Sequence, residues 1–152
     1  MRWLVGVLIA VLMMGCTARP VPMRWVPDTR AIRDVQIDSA VVEELKALYQ
    51  RSGQTQLEQA LCLHGYAIDS VMVIESVSPP LNVRYQTWRT VGFDCRDDAI
   101  GFAHTHPLPS APSHEDVLLQ QMDGKYAVML AVDAVNHTWV VLRETQLGQM
   151  YW

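Results

Sequence analysis

Beyond its N-terminal region the chain shows helical spacing of apolar residues in one clear place. Val41, Val42, Leu45, Leu48 and Tyr49 recur at intervals of three and four, Asp38 or Ser39 stands where a cap belongs, and Ser52-Gly53 supplies a stop, so a helix is predicted from about 38 to 51. Shorter apolar, β-favouring runs follow near 60–63, 69–77, 99–104, 126–132 and 138–143. The turn signals Ser78-Pro79-Pro80, Asp123-Gly124 and Asn136-His137 separate them. The last two runs predict a hairpin. A second helix is expected over about 113–122, which gives one mixed α/β (α+β) domain with no internal repeat.

The N-terminus follows a different pattern. Arg2 precedes an unbroken apolar stretch over 3–14 that ends at Gly15-Cys16. About a dozen residues suit an export signal and fall short of the roughly 20 that a spanning helix needs. The run Leu12-Met13-Met14-Gly15-Cys16 resembles a bacterial lipobox, with Met13 standing where that motif usually has Leu. The resemblance implies a lipoprotein signal peptide over 1–15 and lipidation at Cys16. A secretory signal or an uncleaved N-terminal anchor is the alternative. Residues 16–36 include Pro20, Pro22 and Pro27, lack sustained periodicity and read as an extended tether, which leaves 37–152 as the folded domain. Thr17 follows Cys16 where an Asp would signal inner-membrane retention, so the expected location is the bacterial cell envelope, lipid-anchored at the outer membrane and facing the periplasm.

Length and charge narrow the function. The chain has 152 residues, half of them hydrophobic, enough for one catalytic domain with an appendage. Its 12 basic and 16 acidic residues give a net charge of -4 with no basic run, which argues against nucleic acid as a partner. Export places Cys62 and Cys95 where a disulfide can persist, but two buried thiols fit the spacing equally well.

The chemical signal is His104-Thr105-His106-Pro107 followed by Ser113-His114-Glu115-Asp116. Histidines one residue apart on a strand project to the same side and can grip one ion, and Asp116 can close the site from a helix. Two imidazoles and a carboxylate suit zinc and leave a fourth position open, as catalytic sites do. Taken singly, the histidine pair fits an ordinary loop, and Ser113 with Asp116 fits an ordinary helix cap.

Together these residues resemble the motif of the JAMM/JAB (MPN-like) zinc metalloproteases, an upstream Glu followed by His-x-His-Pro and Ser-x-x-Asp. The likeness extends to the helix after residue 38, to Glu58-Gln59-Ala60-Leu61-Cys62-Leu63-His64-Gly65, and to Ile100-Gly101-Phe102-Ala103 leading into the histidines, about 37–145 in all. Five residues separate Pro107 from Ser113 where the family commonly has six. The resemblance implies a mixed, mostly antiparallel β-sheet flanked by helices and one Zn2+ on His104, His106 and Asp116. It further implies Glu58 as general base, in preference to Glu75, and Ser113 as a donor to the oxyanion. His64, His114, Glu115 and His137 match no family ligand.

The implied activity is zinc-dependent hydrolysis of peptide or isopeptide bonds. From the expected location, the partners are peptide or protein substrates of the cell envelope and the membrane through Cys16. The alternatives are a non-catalytic JAB-like binding or assembly module and a periplasmic zinc-binding protein, the latter disfavoured by the absence of a His-rich tract.

Overall fold

The computed structural model describes residues 28–117, 125–143 and 148–152. The expected signal peptide, Cys16 and most of the tether lie outside the described residues. Among those described, no helix is long and apolar enough to cross a membrane.

Helix α1, Ser39–Thr55, begins at Asp38, whose carboxylate accepts from the Ala40 amide at 2.8 Å. Val41, Leu45, Leu48 and Ser52 are its buried face. The helix outruns the expected stop at Ser52-Gly53, because Ser52 is buried and its hydroxyl donates to the Leu57 carbonyl at 2.7 Å. Gln56 caps the end in the left-handed region at φ 57°, with its side-chain amide donating to the Gly53 carbonyl at 2.6 Å.

Among the described residues there are nine strands: β1 Asp34–Ile37, β2 Ala60–Ile68, β3 Val71–Ser78, β4 Asn82–Gln86, β5 Val91–Asp94, β6 Gly101–Thr105, β7 Val128–Ala134, β8 His137–Leu142 and β9 Gly148–Tyr151. Seven form one mixed sheet in the order β1-β3-β2-β6-β7-β8-β9, while β4 and β5 form a separate hairpin. The β1–β3 and β6–β7 pairs are parallel and the others antiparallel. The predicted hairpin is β7–β8. Two glycines permit close approach: a Cβ at Gly65 would lie 1.9 Å from the Val73 carbonyl oxygen, and one at Gly101 2.2 Å from that of Val128.

The fold corrects the expectation of a helix-flanked α/β sheet of JAB type. The chain is mostly β, and its seven-stranded sheet curls into a half-barrel. Of the second helix, residues 114–117 are helical and the remainder lies outside the described residues. The physical reason lies at the sheet margins. Strands β1 and β9, its two edges, are largely exposed and polar, so apolar runs do not mark them, and main-chain pairing extends the sheet instead. Residues 34–36, read as tether, are in fact part of an edge strand. Curling brings Ile32, just before β1, into one core with Val140 and Leu142 of β8, with Met150 and Trp152 packed against it.

The sheet has two unlike faces. One packs Leu63, Met72, Ile74, Ala103, Leu130 and Val132 against Val41 and Leu45 of α1. The other carries a smaller cluster of Cys62, Cys95, Ala99 and Tyr126 with Phe93 and Phe102. Cys62 and Cys95 are joined in a disulfide with Cα atoms 5.7 Å apart, which ties the end of the β4–β5 hairpin to the sheet. Their separation of 33 residues sets the loop closed by the bond. Replacing both cysteines by serine should lower unfolding free energy by about 3–4 kcal/mol on loop-entropy grounds. Urea denaturation of the two proteins measures it, and a loss under about 1 kcal/mol would show that the bond constrains little.

Candidate metal centre

His104 is the fourth residue of β6, opposite Ala60 on β2 and Ala131 on β7. His106 continues the same extended path past the strand end, its amide donating to the Val132 carbonyl at 2.9 Å. The alternation of strand side chains therefore places both imidazoles on one face, and both are buried. Thr105, between them, points the other way and is fully buried. Its hydroxyl accepts from the Gln59 amide at 2.9 Å while its own amide donates to the Gln59 carbonyl at 3.0 Å. That clamp fixes the residue beside Glu58. Glu58 is tied further by its amide to the Thr87 carbonyl at 2.8 Å, and its carbonyl accepts from the Gln86 side chain at 2.6 Å.

Asp116 arrives from the short helical segment at 114–117. The Ser113 amide and hydroxyl donate to Asp116 Oδ2 at 2.7 and 2.8 Å, and the Asp116 amide donates back to Ser113 Oγ at 3.1 Å, a reciprocal capping box. The cap and the ligand are thus one arrangement. The hydroxyl expected to serve the oxyanion faces the Asp116 carboxylate.

His104 Nε2 and His106 Nε2 lie 3.0 Å apart, and each is 3.7 Å from an Asp116 oxygen. Four ligands at about 2.0–2.1 Å around one ion have edges of about 3.3 Å, a value these three distances bracket. His106 Nδ1 faces the Ser110 carbonyl at 2.8 Å and the Ser110 hydroxyl at 2.9 Å. A proton on Nδ1 donated to the carbonyl leaves Nε2 with its lone pair toward the other two groups. The group can hold a metal ion.

Burial pushes His104 down to about 4, only partly opposed by the nearby Asp116 charge, so its imidazole is neutral with a lone pair to give. Burial also pulls His106 down, but its contact with Asp116, the Ser110 carbonyl and the Asp116 and Glu58 charges outweigh this and hold it above its ordinary value. In Asp116 burial favours the neutral acid, yet the two histidines and the Ser113 donors win and hold the carboxyl well below its usual range. Burial lifts Glu58 to about 7, with Asp116 reinforcing the shift and His106 opposing it.

Two cavities of about 440 Å³ each meet at Glu58 and Asp116. One also includes His104 and the other His106, Pro107 and Ser113. Glu75, by contrast, is exposed on β3. His114 and Glu115 are exposed, and Glu115 borders the second cavity. His64 Nε2 contacts the Ser78 hydroxyl at 2.8 Å, while His137 Nδ1 pairs with Asp133 at 2.5 Å and the Trp139 indole donates to the same carboxylate at 2.9 Å, which braces the β7–β8 turn. Thr105 and Ser110 were not singled out from sequence. The x of His-x-His carries no marker of its own, and Ser110 acts partly through its carbonyl.

No family model matches the chain, and none of the curated proteins matches it. The shape has a solved counterpart. The solution structure of protein DSY2949 from Desulfitobacterium hafniense superposes with a TM-score of 0.54 at 18% identity, covering 77% of this chain and 90% of that one. At that identity the likeness speaks for the fold alone.

Because Ser113 orients Asp116 by its hydroxyl as well as its amide, Ser113→Ala should weaken divalent-metal binding by about 10- to 100-fold. Competition against a chromophoric chelator reads this directly, and unchanged affinity would show that Asp116 is oriented without the hydroxyl.

Proposed function

We propose that this chain is a zinc-dependent hydrolase of peptide or isopeptide bonds, JAMM-type in its chemistry, acting on peptide or protein substrates in the bacterial cell envelope. One observation supports it above the rest. A buried carboxylate, Glu58, borders both cavities that reach the His104, His106 and Asp116 ligand group. A structural metal site is closed by four protein ligands, whereas three ligands beside a carboxylate that no ligand role requires suit hydrolysis.

The donor set fits zinc: two imidazoles, one of them kept neutral by burial, and a carboxylate held ionised. A bound zinc ion would supply Lewis acidity, polarising a substrate carbonyl and acidifying water. Glu58 then takes a proton from the attacking water and hands it to the leaving amine. A group poised at about 7 exchanges protons in both directions at little cost. His104, His106 and Asp116 keep their positions through β6, the Ser110 contacts and the Ser113 cap. In this reading Ser113 turns its hydroxyl from Asp116 to the developing oxyanion, while its amide still holds the carboxylate.

Lipid anchoring at Cys16 and a periplasm-facing outer-membrane location belong to the same proposal. The Cys62–Cys95 disulfide supports it, because such bonds persist in oxidising compartments.

The decisive variant is Glu58→Gln, which keeps the shape and removes the base. With a peptide library as substrate, zinc content should stay at one ion per chain while the hydrolysis rate falls by about 10²- to 10⁴-fold. Full activity in the variant would remove Glu58 from the chemistry. Stoichiometric zinc in the unaltered protein with no chelator-sensitive cleavage would favour the non-catalytic binding module.

A further inference from the structure

The cavity on the His104 side continues away from the ligands beneath the β4–β5 hairpin, and the proposed chemistry leaves this far end unused. It is bordered there by Phe93, Phe102, Tyr126 and Met129. The rings form a built wall: Phe102 stands edge-on to Phe93 and to Tyr126, with centroids 5.4 Å apart in both pairs. Met129 and Tyr126 are buried. On the hairpin side Tyr85 lies against Gly92, where an added Cβ would come within 2.3 Å of the ring. A glycine at that position is what lets the ring pack against the neighbouring strand at the edge of the cavity. Arg84 at the rim has Asp94 at 3.6 Å, so its charge already has a partner.

The surroundings favour a polypeptide. Leu81, Val83, Tyr85 and Trp88 on or beside β4, and Leu108 after the histidines, are each more than half exposed. Tyr85 borders this cavity, and Trp88 and Leu108 border the adjoining one that shares Glu58 and Asp116 with it, so exposed apolar surface flanks both and suits an apolar partner rather than a small polar one. The aromatic wall begins beside the groups that would act on a bond, with the Phe102 and His104 ring centroids 6.0 Å apart.

We infer that this cavity is a specificity pocket for a large apolar side chain, of Leu or Phe size, on a residue flanking the bond to be cut. The inference rests on the hydrolase reading for the word "cut" and on the cavity itself for the side chain. About 440 Å³ has room for a phenyl ring with its backbone, within the usual size of ligand pockets. The pocket disfavours substrates with only Gly or Ala at that position, which would leave the rings facing water.

The test uses blocked hexapeptides that differ only in having Phe, Leu, Ala or Gly at one position, walked along the peptide, with the full-length zinc-loaded protein. Phe and Leu should exceed Ala and Gly in kcat/KM by about 10- to 100-fold at one position next to the cleaved bond. Tyr85→Ala, an exposed substitution outside the ligand group, should shrink that ratio several-fold. Calorimetric titration of the Phe and Ala peptides into the Glu58→Gln protein reads binding without turnover and should show the same preference. Equal cleavage of all four peptides, or a preference untouched by Tyr85→Ala, overturns the pocket and leaves the hydrolase reading standing. No cleavage together with preferential binding of the Phe peptide removes the hydrolase reading and keeps the pocket. Neither cleavage nor selective binding overturns both.

Discussion

The centre depends on the pairing of β2 with the end of β6, and within it on the two-way clamp between Thr105 and Gln59. Glu58 and the histidines are remote in sequence, and an acid must sit within a few ångströms of the reacting atoms to move a proton. A ladder at fixed register meets that demand without any direct bond between the partners. Ala60 opposite His104 puts Glu58 opposite His106 if the pairing is continued by two residues. The threonine hydroxyl takes up the Gln59 amide, which would otherwise be a donor left unpaired near the sheet end, at about 1–3 kcal/mol.

The two faces of the sheet divide the work. The α1 side holds the large aliphatic core, and strand β7 is apolar and buried through five successive positions, 128–132, before the buried Asp133, as a strand covered on both sides must be. The opposite face trades part of that burial for polar groups: His104 and His106 occupy positions where a core would have aliphatic residues. The disulfide and the edge-on Phe93, Phe102 and Tyr126 rings secure the hairpin over this face. One covering element therefore buries the rings and gives Glu58 its apolar surroundings, which lift its affinity for a proton.

Sequence made the interior legible and the margins obscure. The apolar runs at 60–63, 69–77, 99–104, 126–132 and 138–143 correspond to β2, β3, β6, β7 and β8 because burial writes itself into residue type. Strands β1, β4 and β9 leave no such trace. Their residues are exposed, and main-chain groups, which every residue carries, make the pairing. The expected helical flanks fail for the same reason, since the extra strands that curl the sheet were invisible. The cluster of His104, His106 and Asp116 was legible from spacing, because strand alternation and a cap motif are local rules. Ser110, acting partly through its carbonyl, could not be seen that way.

The loop between the histidines and Asp116, five residues from Leu108 to Pro112, shows how such a short link can suffice. Its shape is taken from the ligand it follows: His106 Nδ1 meets both the carbonyl and the hydroxyl of Ser110, so the loop folds back on the imidazole before Ser113 starts the helical turn. Asp116 is then placed by two anchors in series, Ser110 on His106 and Ser113 on Asp116. The same contacts settle which nitrogen is free. With Nδ1 donating to Ser110, Nε2 of a neutral His106 offers a lone pair toward Nε2 of His104 at 3.0 Å, where burial also keeps the ring neutral. In the neutral pair, His104 Nε2–H donates to that lone pair as an ordinary hydrogen bond. A proton on His106 paired with Asp116 is a second arrangement, and it is the state the raised affinity of His106 expresses. A divalent cation is a third, and it satisfies both rings and the carboxylate at once. The loop length, the tautomer and the ligand group are consequences of one arrangement, in which proton and metal compete for the same nitrogen.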